Sequence, residues 1–147
     1  MTLNFAQIER QELCILFERL GPDVPTLCEG WTARDLAAHL VVRERRPDAA
    51  LGFLAAPFER HGEKVRLEVA ATPWDELVEL VRTGPPRLSP FGTPALDRLA
   101  NTMEYFIHHE DVRRANDMAP RELHAELEAQ LWGVVQRMAK LTMRKAP

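Results

Sequence analysis

Serine is almost missing from this chain: Ser89 is the only one in 147 residues. That leaves no serine nucleophile elbow, and neither a P-loop nor a dinucleotide glycine fingerprint is present. Cysteine is also scarce. Cys14 and Cys28 form neither a disulfide framework nor a CxxC motif. Cys14 falls within an apolar helical pattern and reads as core. Cys28 sits in a Pro/Gly-flanked connection, where it is more exposed. As a nucleophile it would need a depressed pKa, and nothing near it in the sequence supplies one. Basic excess is lacking too. The formal net charge is -3, which gives no electrostatic case for nucleic acid. Arginine outnumbers lysine sixteen to three, a bias that points to a GC-rich coding genome rather than to chemistry. No uninterrupted apolar stretch approaches the ~18–20 residues of a membrane span. The N-terminus carries no signal-peptide apolar region. The expectation is a cytoplasmic protein with reduced thiols and no membrane partner.

Strand patterns are scarce, and helical periodicity fills the rest. Leu13, Leu16, Phe17 and Leu20 recur at the i, i+3, i+4, i+7 spacing of a core-facing helix. Gly21-Pro22 stops it, which predicts a helix over about 3–20. Asp23 to Gly30 reads as a loop. Thr32 then caps a second helix over about 33–46, with Asp35 at the capping-box position and Trp31 as a staple. On it Leu36, His39 and Leu40 face inward, whereas Arg34, Glu44 and Arg45 are expected to reach water. The run Arg43-Glu44-Arg45-Arg46 reads as a solvated helix end. A short helix is expected from Pro47 to Leu54, a loop from Pro57 to Lys64, and a segment ambiguous between helix and coil over 65–71.

Thr72-Pro73 opens a helix over 73–83, lined by Trp74, Leu77, Val78 and Val81. Thr93-Pro94 opens a longer one with Leu96, Leu99, Ala100, Met103, Phe106 and Ile107 on its apolar side. Pro120 opens the last, with Leu123, Leu127, Leu131, Val134, Met138 and Leu141 on one stripe. The hydrophobic fraction of 46% is ordinary for a soluble domain of this length. The expectation is all-α: one domain over 1–147, built as a four-helix bundle with a long crossover connection around 47–71.

One stretch carries chemistry. In Glu104-Tyr105-Phe106-Ile107-His108, a carboxylate and an imidazole stand four residues apart, so on a helix they lie one turn above each other. A divalent metal is the object that best fits an oxygen and a nitrogen donor together. The third donor is expected to be His39, the inward histidine of the second helix. A His2Glu set leaves an open position, as catalytic zinc requires, where the pKa of a bound water or thiol falls. Asp111, one turn past His108, could orient that ring's other nitrogen, but a salt bridge to Arg113 or Arg114 is its expected role. His109 points elsewhere, and His61 and His124 read as surface. The competing reading has no metal: His39 is core and Glu104 hydrogen bonds to His108.

Trp31-Thr32-Ala33-Arg34-Asp35-Leu36-Ala37-Ala38-His39 and Glu104-Tyr105-Phe106-Ile107-His108-His109-Glu110-Asp111-Val112 resemble the metal-binding domain of mycothiol-dependent maleylpyruvate isomerases, in the DinB-like superfamily. The resemblance covers most of the chain in helix order. It implies an up-down-down-up four-helix bundle and a divalent metal, zinc before nickel, on His39, Glu104 and His108. It also implies mycothiol or a related low-molecular-weight thiol as cosubstrate. The expected reaction is isomerisation or S-transfer to a small electrophile, with a homodimer possible. The alternative is a non-catalytic bundle that senses a ligand or binds a protein. Two features depart from the isomerases. They carry a second, C-terminal domain, whereas this chain ends at Lys145-Ala146-Pro147. No residue set for a maleylpyruvate-like diacid is identifiable either, although Arg43 and Arg45 follow His39 closely enough to serve an anion.

Overall fold

The protein is described by a computed structural model over residues 3–53, 55–86 and 101–143. The expected helix start at Thr93-Pro94, with Leu96, Leu99 and Ala100, lies outside these residues, as does Ser89. The described residues are all-α, with no strand and one isolated bridge between Pro25 and Thr32. In chain order the helices are α1 (Phe5–Leu20), α2 (Ala33–Arg45), α3 (Pro47–Ala50), α4 (Glu59–Ala70), α5 (Trp74–Thr83), α6 (Thr102–Ala115) and α7 (Ala125–Met143). None of them is long and apolar enough to cross a membrane.

Local signals set the first boundaries. The Asn4 side chain accepts from the Gln7 amide, and the Gly21 amide closes α1 on the Phe17 carbonyl. At the start of α2 the Asp35 carboxylate accepts from both the amide and the hydroxyl of Thr32, at 2.9 and 2.8 Å. This satisfies donors that the first turn would otherwise leave open.

The core is one main cluster, with a small second one of Val42, Ala49 and Val65 beneath α4. Leu13, Leu16 and Phe17 of α1 meet Leu36, Leu40 and Val41 of α2, Leu77, Val78 and Val81 of α5, and Tyr105 and Val112 of α6. α1 packs against α6 and α5, and α2 packs against α5 and α4. The remaining side, where α2 faces α6, is joined by side chains rather than by close backbone packing. The candidate site lies in that seam.

Three expectations need correction. Pro57 to Lys64 is not a loop: a 3-10 turn over Ala56–Phe58 leads straight into α4 at Glu59. Pro57 sits at the first positions of that turn, where its missing amide costs nothing. Gly62, a poor helix former, is retained within α4 because α4 approaches the preceding turn there. A Cβ on Gly52 would lie 2.6 Å from the Phe58 carbonyl oxygen and 2.8 Å from the Gly62 Cα. Both are backbone atoms and cannot swing away. Gly52→Ala is therefore expected to cost about 1–3 kcal/mol through overpacking. An unchanged urea midpoint would contradict this close approach.

The second correction concerns α7, which begins at Ala125 rather than at Pro120. Residues 118–124 are irregular because Arg121 turns inward, donating to Glu9 at 3.0 Å and to Glu110 at 2.7 Å. The predicted stripe on α7 is mostly not core: Leu127 is buried, but Met138 is 60% exposed.

The third concerns Glu44. It does not reach water; it is 2% exposed and forms a two-pronged ion pair with the buried Arg10, 2.7 Å on each arm. The Arg43-Glu44-Arg45-Arg46 run is thus no solvated end. Arg45 donates to Thr83, and only Arg46, paired with Asp48, lies at the surface.

Candidate metal centre

α6 presents its functional side chains because two of its polar residues are anchored inside. Tyr105 is fully buried, and its hydroxyl donates to Glu44 at 2.9 Å. The His109 Nδ1 meets the buried Glu9 carboxylate at 2.9 Å. These anchors rotate α6 away from the expected phase. The buried face runs through Thr102, Tyr105, His109 and Val112, while Ile107, expected to be apolar core, is 45% exposed. Glu104 and His108 flank the core, as expected from the sequence, and they lean toward α2.

There they meet His39. Its Nε2 lies 3.4 Å from the Glu104 Oε1, and the His108 Nε2 lies 3.3 Å from the same oxygen. The two imidazole rings stand 5.5 Å apart, nearly edge to face at 72°. One donor atom from each of the three residues falls within 4.8 Å of the others. Ligands at about 2.0–2.2 Å around a tetrahedral zinc would themselves be separated by about 3.3 Å. The observed 3.3 and 3.4 Å spacings suit that set, and two nitrogens with one carboxylate oxygen are the right donor chemistry for zinc. All three side chains are largely but not wholly covered, at 12, 27 and 13% exposure for His39, Glu104 and His108.

Asp111 corrects its expected role. Arg113 and Arg114 pair with Glu110 instead. The Asp111 Oδ2 meets the His108 Nδ1 at 3.0 Å, so it fixes the ring with Nε2 toward Glu104 and His39. Cys28, outside the expected ligand set, donates its thiol to the same Asp111 oxygen at 3.5 Å. Cys28, His108 and Asp111 make a second set of metal-type donors that shares His108. The i, i+3 spacing of His108 and Asp111 was a usable signal. No signal joins Cys28 to Asp111 across 83 positions. Of the two candidate anion-binding arginines, only Arg43 is here, with its Nε 3.5 Å from Glu104 and its Nη1 donating to Asn101 at 2.6 Å.

The electrostatics follow from this packing. Burial pushes the Glu104 carboxyl up, but hydrogen bonds from His108 and His39 and the Arg43 charge hold it well below the usual carboxylate range. Burial lowers His39, against the pull of Glu104, which keeps the ring neutral and ready to donate a lone pair. His108 goes the other way. Burial disfavours its charge, yet Asp111 and Glu104 together raise its pKa to about 9. Cys28 is raised by burial and by the Asp111 carboxylate, so it is a thiol donor and the opposite of an activated nucleophile.

A cavity of about 720 Å³ reaches His39 and Trp31 from the side of α4. An apolar groove of about 610 Å³ between α6 and α7, lined by Phe106, Leu131 and Trp132, has no contact with the site. His61 and His124 are exposed. Comparison with protein-family models, with curated proteins and with solved structures returns no match to the chain.

Proposed function

We propose that the chain is a divalent-metal-dependent enzyme of the DinB-like superfamily, similar to the metal-binding domain of mycothiol-dependent maleylpyruvate isomerases. His39, Glu104 and His108 hold zinc, or nickel in its place. A low-molecular-weight thiol such as mycothiol is the cosubstrate, and a small electrophile receives it in isomerisation or S-transfer. The observation that carries this reading is the convergence of one donor from α2 and two from α6 at 3.3–3.4 Å. The long connection between α2 and α5, which holds α3 and α4, supports the up-down-down-up topology.

The chain's own residues divide the work. A divalent ion held by the three donors supplies Lewis acidity that lowers the pKa of a thiol. Asp111 accepts from the His108 Nδ1 and so directs the Nε2 lone pair into the site. Arg43 steadies the carboxylate of Glu104 from its open side. Trp31, with its ring 5.2 Å from that of His39, lines the adjoining cavity together with that histidine.

Metal analysis of protein purified without chelator or affinity tag tests the reading. About one equivalent of zinc or another divalent ion is expected, as a three-residue centre requires, and it should be lost in both His39→Ala and Glu104→Ala. Protein that takes up no metal even after incubation with zinc or nickel would sink the proposal. A second reading, the non-catalytic interaction module, draws on the outer side of α7, where Trp132 is 61% and Met138 60% exposed. It predicts concentration-dependent self-association in sedimentation, weakened by Trp132→Ala and indifferent to metal.

A further inference from the structure

Metal-type donors among the described residues fall into two sets, and the three-donor centre uses only one of them. Cys28, His108 and Asp111 make the other, with one donor atom from each within 4.8 Å of the rest. It lies on the far side of the His108 ring. The Nε2 of that ring faces Glu104, whereas its Nδ1 meets the Asp111 Oδ2 at 3.0 Å, and the Cys28 thiol meets the same oxygen at 3.5 Å. A thiol and an imidazole nitrogen therefore converge on one carboxylate oxygen. The loop holds Cys28 there. Its amide donates to the Thr26 hydroxyl, its carbonyl accepts from the Trp31 amide, and the Asn116 side chain at the end of α6 donates to the Pro25 carbonyl. Cys14 marks the contrast: it is fully buried in the apolar core, with the Val78 carbonyl 3.8 Å from its sulfur. Asp111 and His108 keep 17 and 13% exposure, so an ion can reach them.

We propose that Cys28, Asp111 and the His108 Nδ1 form a second metal site, which takes a thiophilic divalent ion of the zinc class. A thiolate beside an imidazole selects such an ion. A tetrahedral zinc sets sulfur and oxygen ligands about 3.6 Å apart, and nitrogen and oxygen ligands about 3.3 Å apart. The sulfur–oxygen spacing of 3.5 Å already matches, and the 3.0 Å hydrogen bond opens slightly when the ion replaces its proton. Binding releases two protons, one from the Cys28 thiol and one from the His108 Nδ1. With both sites filled, His108 bridges them as imidazolate. Glu104, Asp111, the Cys28 thiolate and that ring then balance the charge of two divalent ions. The second ion has more protons to displace, so it loads from added metal after the first. The inference goes beyond the three-donor centre and does not require it, because His39 and Glu104 take no part.

Titration of the whole chain with cobalt(II) under anaerobic conditions tests this. A thiolate ligand gives cobalt an intense near-ultraviolet charge-transfer band, which a site of nitrogen and oxygen donors lacks. In wild type the first equivalent is expected without the band and a second with it. His39→Ala should show the band with its first equivalent, since it keeps all three donors of this site. Cys28→Ala should take up cobalt at the three-donor centre and show no band, with Cys14 retained as the internal control.

Absence of the band from both wild type and His39→Ala at saturating cobalt would overturn the inference, as would a band that persists in Cys28→Ala. So would a single ion that carries the band in wild type and is lost in His39→Ala, because Cys28 would then complete the first centre instead of forming another. A single ion that carries the band and survives His39→Ala would uphold this site and overturn the three-donor centre.

Discussion

Arg10→Met is expected to lower the free energy of unfolding by about 3–5 kcal/mol, the cost of stranding the other half of a buried ion pair. Arg10 is 0% and Glu44 2% exposed. The guanidinium donates to both Glu44 oxygens, lies 2.9 Å from the Val81 carbonyl oxygen and 2.6 Å from the Tyr105 hydroxyl, and stacks over the Tyr105 ring at 4.2 Å. One side chain on α1 thereby ties α2, α5 and α6 together. Gly84 belongs to the same arrangement: a Cβ there would stand 3.1 Å from the guanidinium carbon, at a backbone φ of +71° that glycine accepts.

Denaturant unfolding should show a lower midpoint at unchanged slope. Arg10→Met/Glu44→Leu should recover much of the loss, because removing both charges leaves no buried carboxylate without a partner. A single variant within about 1 kcal/mol of wild type would mean that water reaches the pair, since exposed pairs are worth no more than that. The network also bears on the site. Tyr105 is the neighbour of Glu104, so a rotation of α6 that relieves an unpaired Glu44 would carry Glu104 and His108 away from His39.

The same network shows what the sequence could reveal and what it could not. The bounds of α1, α2 and α5 followed from apolar spacing and caps, because each lays a continuous stripe against a common core. The pairing of Glu104 with His108 was legible because a four-residue step on a helix fixes direction, and the inward side of His39 because Leu36 and Leu40 share its face. The phase of α6 was not legible. Tyr105 and His109 face inward only because Glu44 and Glu9 wait for them 61 and 100 positions away. A periodicity argument that counts polar residues as outward therefore rotates the helix. Glu44 was misplaced for the same reason, since its partner Arg10 is 34 positions distant. Pro57 to Lys64 misled through composition: proline and glycine there serve a turn entry and a close backbone approach, not a break in the helix.

Metal affinity is expected to rise with pH, and Asp111 is expected to set how far. In the metal-free protein His108 holds a proton up to about pH 9. A metal must displace that proton, whereas His39, shifted downward, is already neutral. One proton lost per ion bound means that the zinc association constant climbs about tenfold per pH unit and levels off near pH 9. The same proton stabilises the metal-free fold. A raised pKa contributes stability in full below the unfolded-state value, and that stability is lost as pH rises through about 9.

Asp111→Asn removes the charge that raises His108, so the histidine should deprotonate at lower pH and the climb should end earlier. It also removes the carboxylate that orients the ring, which costs about 10–100-fold in affinity once proton competition is gone. The two effects oppose each other at low pH and only the second survives at high pH. The variant should accordingly bind zinc much more weakly than wild type at pH 9 and only slightly more weakly at pH 6.5. Competition against a chromophoric chelator at both pH values measures this directly. An equal loss at both would mean that Asp111 only holds the ring in place and that His108 carries no proton for the metal to displace.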